Sequence, residues 1–414
     1  MHRFFKDVRT IERMRNGPLG CYVAVYANEL HTQGFARQSV RRKLQLAADF
    51  ARWLKRHNVA ANQVRAQHVG QYLRFRKRSG FGIQRGDPPA VTGFLGLLRD
   101  QRVTKERMPK PLLTPSQKWL KEYDSYLQHE RSLSLATRIN YAPFVRQFLI
   151  SQFGQGRVEF SKLRALDVLQ FVRRRAGQLK TKRVLSMISA LRSFLRFLRF
   201  RGEIKLDLAA CVPAVASWSL STIPKALPPA QVEQVLAETR KRSTAVGRRD
   251  HAILLLLARL GLRSGEVCHL TLEDIDWENG RISVRGKGDR VAQLPMPADV
   301  GQAIAAYLKT ARPQLPGNRR VFIRTRAPLG GFKGQSSVGS VVKQALRRAQ
   351  IDSPRKGAHQ FRHTLASTML QNGSSLSEIG ELLRHRSPDT TAIYAKIDLL
   401  SLRSLALPWP GGAK

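Results

Sequence analysis

Two clusters of prolines divide this 414-residue chain into three blocks. The first is "RMPKPLLTP", Arg107 to Pro115, and the second is "WSLSTIPKALPPA", Trp218 to Ala230. A proline has no amide N–H, fixes φ, and biases its predecessor toward extended backbone. Prolines this close together stop helices and favour extended linkers. The fold must therefore be assembled from blocks, and the chain is long enough for two or three domains. We place them at 1–106, 113–217 and 227–414.

Blocks one and two read as helical. Val40, Leu44, Ala47, Ala48, Trp53 and Leu54 recur at helical spacing, as do Ile139, Phe144, Phe148 and Leu149. A weak repeat relates the blocks. Tyr22, Tyr26 and Leu30 precede "ARQSVRRKLQLAADFARWL", and Tyr123, Tyr126 and Leu127 precede "LATRINYAPFVRQFLI". "QHVGQYLRFR" is then echoed by "LDVLQFVRRR", and "FLGLLRDQRV" by "FLRFLRFRGE". The order of four segments is kept, as duplication of one unit would leave it.

Block three is mixed. A helix from Pro229 leads into the apolar run "AILLLLARLGL", Ala252 to Leu262. "GRISVRGKGDRVAQLPM", Gly280 to Met296, alternates apolar and polar residues on both sides of "GKGD", which predicts a β-hairpin with a glycine-rich turn. Helices are expected at 298–310, 337–350, 359–372, 376–383 and from about 390, with "NGSS" as a stop and restart. The expected fold class is mainly α with a small β-sheet, helical domains followed by an α+β domain.

Lysine and arginine total 72 against 29 acidic residues, a net charge of +43. Solubility does not require that excess, and nucleic acid is the polyanion it points to. A membrane surface fits less well, because the basic residues are spread along the chain rather than gathered on one amphipathic anchor. The longest apolar run is too short to span a bilayer and contains Arg259. "MHRFFKDVRT" has no apolar segment of a secretory signal. Cys21, Cys211 and Cys268 form no CxxC pair and read as reduced core thiols. A cytoplasmic, nucleoid-associated protein is expected.

Six residues of block three ask for one explanation. Arg263, in "LGLRSGEVCHL", stands where one helix ends and another begins, with Ser264 as its expected cap and Glu266 in its first turn. Lys287 is at the hairpin tip. His359 and Arg362 lie at i and i+3 on one helix face, able to reach one anionic group. His385 and Tyr394 follow in "LLRHRSPDTTAIYAKID". His363 is at i+4 from His359, but no carboxylate or cysteine accompanies them and HExxH is absent, so no metal is expected and His363 reads as structural. Arginine forks bind phosphate oxygens, and a tyrosine hydroxyl can act as a covalent nucleophile. The set suggests attack of tyrosine on a phosphodiester, with fixed cations stabilising the transition state.

The stretches "LGLRSGEVCHLTLEDID", "GKGDRVAQLPM", "HQFRHTLAS" and "LLRHRSPDTTAIYAKID" together resemble the catalytic domain of the tyrosine recombinases, the phage-integrase family. Block two resembles that family's helical core-binding domain, so the likeness covers roughly 113–398, with block one a second core-binding-like unit. The resemblance implies that Arg263 and Arg362 clamp the scissile phosphate, Lys287 protonates the leaving 5′-oxygen, and His359 assists proton transfer. It further implies that His385 donates to the phosphate, Tyr394 forms the 3′-phosphotyrosyl bond, and Glu266 supports the site. The position before His385 is usually glycine in the family and is Arg384 here, which alters the turn or adds a DNA contact. A phosphotyrosyl ester keeps the free energy of the phosphodiester, so no ATP and no cofactor is expected.

The implied partner is double-stranded DNA, with a homotetramer on a two-site synapse and accessory recombinases. Blocks one and two are expected to form a basic clamp, with Arg37, Arg41, Arg42, Lys43, Arg138, Lys180, Lys182 and Arg183 as DNA-facing candidates. The apolar tail Leu399, Leu400, Leu402, Leu405 and Leu407 docks either in its own chain or on a neighbour. The leading function is site-specific strand exchange in integration, excision or transposition. A type IB topoisomerase and an accessory DNA-binding subunit are the alternatives.

Overall fold

The computed structural model describes residues 1–16, 19–104, 113–154, 156–215, 226–286, 290–353 and 357–397. Residues 106–219 form one compact unit, and 1–105 group with 220–414 in the other. Three large apolar cores and one small cluster fill them.

The first core lies among α1 (Val8–Arg15), α2 (Gly20–Thr32), α3 (Arg37–Arg56), α4 (Ala66–Arg78) and α5 (Asp87–Asp100). The apolar positions read from the sequence on α3 are all buried. The second core is enclosed by α6 (Pro115–His129), α7 (Leu135–Phe153), α8 (Ala165–Ala176) and α9 (Thr181–Phe200). Local chemistry fixes where these helices start. Thr114 and Gln117 cap α6 reciprocally with Pro115 at its first position, and the Ser134 hydroxyl accepts from Thr137 N. On α7, Phe144, Phe148 and Leu149 are buried, but Ile139 is 63% exposed. Five residues before Phe144, it falls about 140° around the helix from the core-facing stripe.

The first two helical blocks carry the same elements in the same order. α2, α3, a 3₁₀ turn at Ala61–Gln63, α4 and α5 match α6, α7, a 3₁₀ turn at Phe160–Lys162, α8 and α9. The match extends to contacts. Tyr26 donates to Ala90 O at 2.9 Å and Tyr123 to Ala190 O at 3.4 Å. Tyr26 packs on Phe94 with centroids 5.4 Å apart, and Tyr123 on Phe194 at 5.1 Å. Phe50 meets Tyr72 at 5.2 Å, as Phe148 meets Phe171 at 5.2 Å.

In the third core, α10 (Pro229–Arg240) and α11 (Ala245–Arg259) pack together, and the middle of α11 is buried on all sides. α12 (Ser264–His269) leads to β1 (Ile275–Asp276), β2 (Arg281–Arg285) and β3 (Val291–Pro295), an antiparallel sheet in that order. β2 and β3 form the expected hairpin, with Arg285 opposite Val291 and Gly286 N bonded to Arg290 O at 2.8 Å. α13 (Ala298–Thr310) follows, then a two-residue ladder the sequence did not signal, β4 (Ile323–Arg324) with β5 (Gly330–Gly331).

α14 (Gln335–Arg348), α15 (His359–Gln371), α16 (Leu376–Leu382) and α17 (Pro388–Thr391) complete the described chain, with a 3₁₀ segment at Ala392–Ile397. Gly373 ends α15 with φ +88°, and Ser375 and Glu378 cap α16 reciprocally, which is the stop and restart read from "NGSS". Cys268 is buried, Cys211 is half-buried and Cys21 is exposed, so of the three expected core thiols only Cys268 is one; Cys21 falls off the apolar stripe of α2. No helix among the described residues is long and apolar enough to cross a membrane.

Candidate active site

Arg263 occupies the N-cap position of α12, four residues past the end of α11; Ser264, expected there, is the helix's first residue. Gly261 makes the turn possible with φ +56°. Glu266, with a buried side chain, reaches back: its Oε2 accepts from Arg263 N at 2.8 Å and its Oε1 from Arg263 Nη1 at 2.8 Å. The same carboxylate accepts from Arg384 Nη2 at 2.9 Å. Arg384, with φ +54°, occupies the left-handed region that glycine adopts without strain. Its side chain turns inward, into the arginine cluster.

Arg362, on α15, is 4% exposed. It donates through Nη1 to Gly261 O at 2.5 Å and through Nη2 to Leu383 O, tying α15 to the ends of α11 and α16. Burial, then the charges of Arg263 and Arg384, lowers its pKa; Glu266 and Tyr394 oppose that shift. A guanidinium remains protonated under such stress, so an incoming anion relieves it.

His385 follows Arg384. Its Nδ1 lies 2.8 Å from Thr391 Oγ1 on α17. Burial, then Arg362, Arg263, Arg384 and His363, pushes its pKa down to about 4. It is therefore neutral at pH 7. The unfolded chain binds a proton near pH 6.5 that the folded chain refuses until about pH 4, so His385 adds stability above pH 6.5 that is lost as pH falls toward 4. After discounting for partial exposure, we expect about 1–2 kcal/mol of acid destabilisation, removed in His385→Asn; unfolding midpoints at pH 7 and pH 5 measure it.

Tyr394 sits in the terminal 3₁₀ segment rather than in a regular helix. Its ring is 1% exposed and packs with Ala366, Ile379 and Leu383, against which Ile393 also rests. Its hydroxyl is 2.9 Å from His363 Nδ1. Burial raises its pKa to about 12, and Arg362 opposes that rise. His359, at the start of α15, is exposed, with its ring centroid 6.3 Å from that of His363.

Arg263, Glu266, Arg362, Arg384, His385 and Tyr394 thus gather at the ends of α11, α15 and α16. Lys287 lies outside the described residues, as does the leucine tail from Leu399. His363 and Thr391 hold Tyr394 and His385, and no local pattern announced either role: the first partnership spans 31 residues of sequence.

Several proposed DNA-facing residues are committed elsewhere. Arg42 forms a fork with Asp87, at 3.0 Å through both Nε and Nη2, and Asp87 is fully buried. Arg41 donates to Phe4 O, and Lys43 lies 4.7 Å over the Phe35 ring. Arg138 grips Asp124 at 2.9 and 2.8 Å, and Arg183 bonds Asn140 and covers Phe144. Arg37, Lys180 and Lys182 are exposed. Arg42→Ala should therefore lower the stability of the first helical unit by about 2 kcal/mol, by leaving Asp87 without its ion partner, and leave DNA affinity nearly unchanged; denaturant melts and a DNA titration read the two separately.

Comparison with known proteins agrees with this geometry. The phage integrase family profile matches residues 225–399, and that of the phage integrase N-terminal SAM-like domain matches 120–202. The chain is 47% identical, over 98% of both sequences, to a Sinorhizobium fredii protein named as an integrase/recombinase, y4rA. It is 31% identical to the tyrosine recombinase XerA of Thermococcus onnurineus, covering 69% of this chain and 92% of that one. In fold it is similar to the XerH site-specific recombinase bound to difH, with TM-score 0.57 and 20% identity over 82% of this chain and 94% of that one. It is also similar to the Tn1549 transposon integrase, with TM-score 0.51 and 20% identity over 70% and 99%.

Fold and sequence together define a DNA strand transferase of the tyrosine class. The chain belongs to the phage integrase family: it is a tyrosine recombinase, one of the enzymes that cut and rejoin DNA through a phosphotyrosine intermediate.

Proposed function

We propose that the chain exchanges DNA strands at the ends of a mobile element, in integration, excision or transposition. The integrase/recombinase similar over its whole length supports this reading, as does the likeness in fold to a transposon integrase. The observation that carries the chemistry is the convergence of Arg263, Arg362 and His385 near a buried Tyr394 phenol held by His363.

In this reading Arg263 and Arg362 take the two non-bridging oxygens of the scissile phosphate. With the Thr391 hydroxyl donating to Nδ1, neutral His385 keeps a proton on Nε2 to donate to the same phosphate. The Tyr394 oxygen attacks phosphorus, and its proton passes to the histidine pair, His363 in contact and His359 beside it. The P–O5′ bond breaks, and Lys287 protonates the leaving oxygen. Attack by a 5′-hydroxyl on the phosphotyrosyl ester reverses the sequence. Glu266 aims Arg263 and neutralises part of the cluster.

The active assembly in this reading is a tetramer of the chain on two DNA sites, with accessory recombinases as further partners, acting in the cytoplasm on the nucleoid. Covalent trapping tests the chemistry. A nicked duplex from the ends of the element, incubated with the protein, should yield a protein–DNA adduct on a denaturing gel, and its absence despite tight binding would overturn the reading.

A further inference from the structure

Residues 1–104 lie outside both matched family profiles. They hold 20 lysines and arginines against six acidic residues. They also repeat the second unit element by element, down to the tyrosine that bonds the last helix and the aromatic pair that locks α3 to α4.

One surface feature is repeated as well. α4 ends in Arg76, Lys77 and Arg78, and α8, its counterpart, ends in Arg173, Arg174 and Arg175. Beyond α4 the first unit differs. Residues 79–86 form a loop that presents Phe81, 57% exposed, with Ile83 and Arg85 also open to solvent. Arg76 braces the loop: its guanidinium lies 5.0 Å over the Phe81 ring and bonds Asp49 at 3.3 Å. The neighbouring acids are already committed, Asp49 to Arg52 and Arg76 and Asp87 to Arg42. Arg74, Lys77, Arg78 and Arg85 are exposed and make no ion pair among the described residues.

We propose that this end of residues 1–104 is a second duplex-DNA-binding site, additional to the strand-exchange site and resting on the recombinase reading above. Arg74, Lys77, Arg78 and Arg85 neutralise backbone phosphates. Phe81 and Ile83 lie against the sugar edges of the groove, where apolar side chains can wedge between base steps. The unpaired cations beside exposed apolar groups favour a polyanion with an apolar edge over an acidic protein surface.

The test titrates the full chain with a labelled mixed-sequence duplex across a range of salt. Replacing Arg74, Lys77, Arg78 and Arg85 by alanine should weaken binding at least about tenfold and flatten the log K against log salt slope by about 3–4. Phe81→Ser should weaken binding with the slope unchanged, because it releases no counterion. If the fourfold variant melts early, Arg78→Ala with Arg85→Ala makes the same test with a flattening of about 2. Unchanged affinity and slope in folded variants would overturn the inference. Covalent trapping by wild type in parallel separates two failures. An adduct with an unaltered variant slope sinks this site alone; a flattened slope with no adduct sinks the strand-exchange assignment alone.

Discussion

Tyr394→Phe should bind DNA as wild type does and form no covalent adduct. The substitution removes one oxygen from a ring that is otherwise packed, so the aromatic contacts with Ala366, Ile379 and Leu383 survive. What is lost in stability is the bond to His363 Nδ1, about 1 kcal/mol. What is lost in chemistry is the nucleophile, and removal of a nucleophile from a site that acts as a unit costs about 10⁴-fold or more. A denaturing gel of protein incubated with nicked duplex reads this directly. An adduct of equal intensity in both proteins would mean that another side chain attacks.

Glu266→Ala should be nearly as damaging, by a different route. The carboxylate neutralises Arg263 and Arg384 and also receives the Arg263 N–H that opens α12. Without it, two guanidiniums and the buried Arg362 face one another, and a helix start loses its acceptor. We expect about 3 kcal/mol of destabilisation, at the lower end for a broken buried pair because the Arg263 side chain is 37% exposed. Adduct formation should fall about 10²–10³-fold, the cost of one misaimed charge on the transition state. Glu266→Gln keeps an acceptor for the backbone and should lose less stability than rate. Wild-type adduct formation in Glu266→Gln would mean that charge is irrelevant there.

Much of the architecture was legible because it is periodic. The stripe Val40, Leu44, Ala47 and Leu54 dictates a helix with one buried face, and "NGSS" contains both the residue that ends α15 and the cap that starts α16. Ile139 was misplaced because a helical pattern of four apolar residues tolerates one off the stripe. β4 and β5 were invisible because a two-residue ladder has no period to detect.

The candidate site was nameable from sequence where the expected chemistry goes with residue type, as at Arg263, Arg362, His385 and Tyr394, which the structure brings together. It was illegible where a role depends on a partner distant in sequence. His363 looks like a packing histidine until Tyr394 folds back onto it, and Arg384 looks like a surface cation until Glu266 appears beneath it. The same limit applies to Arg42 and Arg138: charge composition counts them as free cations, and tertiary structure pairs them with Asp87 and Asp124.

The sheathed phenol has a consequence for how it can react. With its pKa near 12, only about one Tyr394 in 10⁵ is ionised at neutral pH. Attack by this phenol therefore needs a group that takes its proton, and His363 Nδ1, 2.9 Å from the hydroxyl, is the group in contact with it.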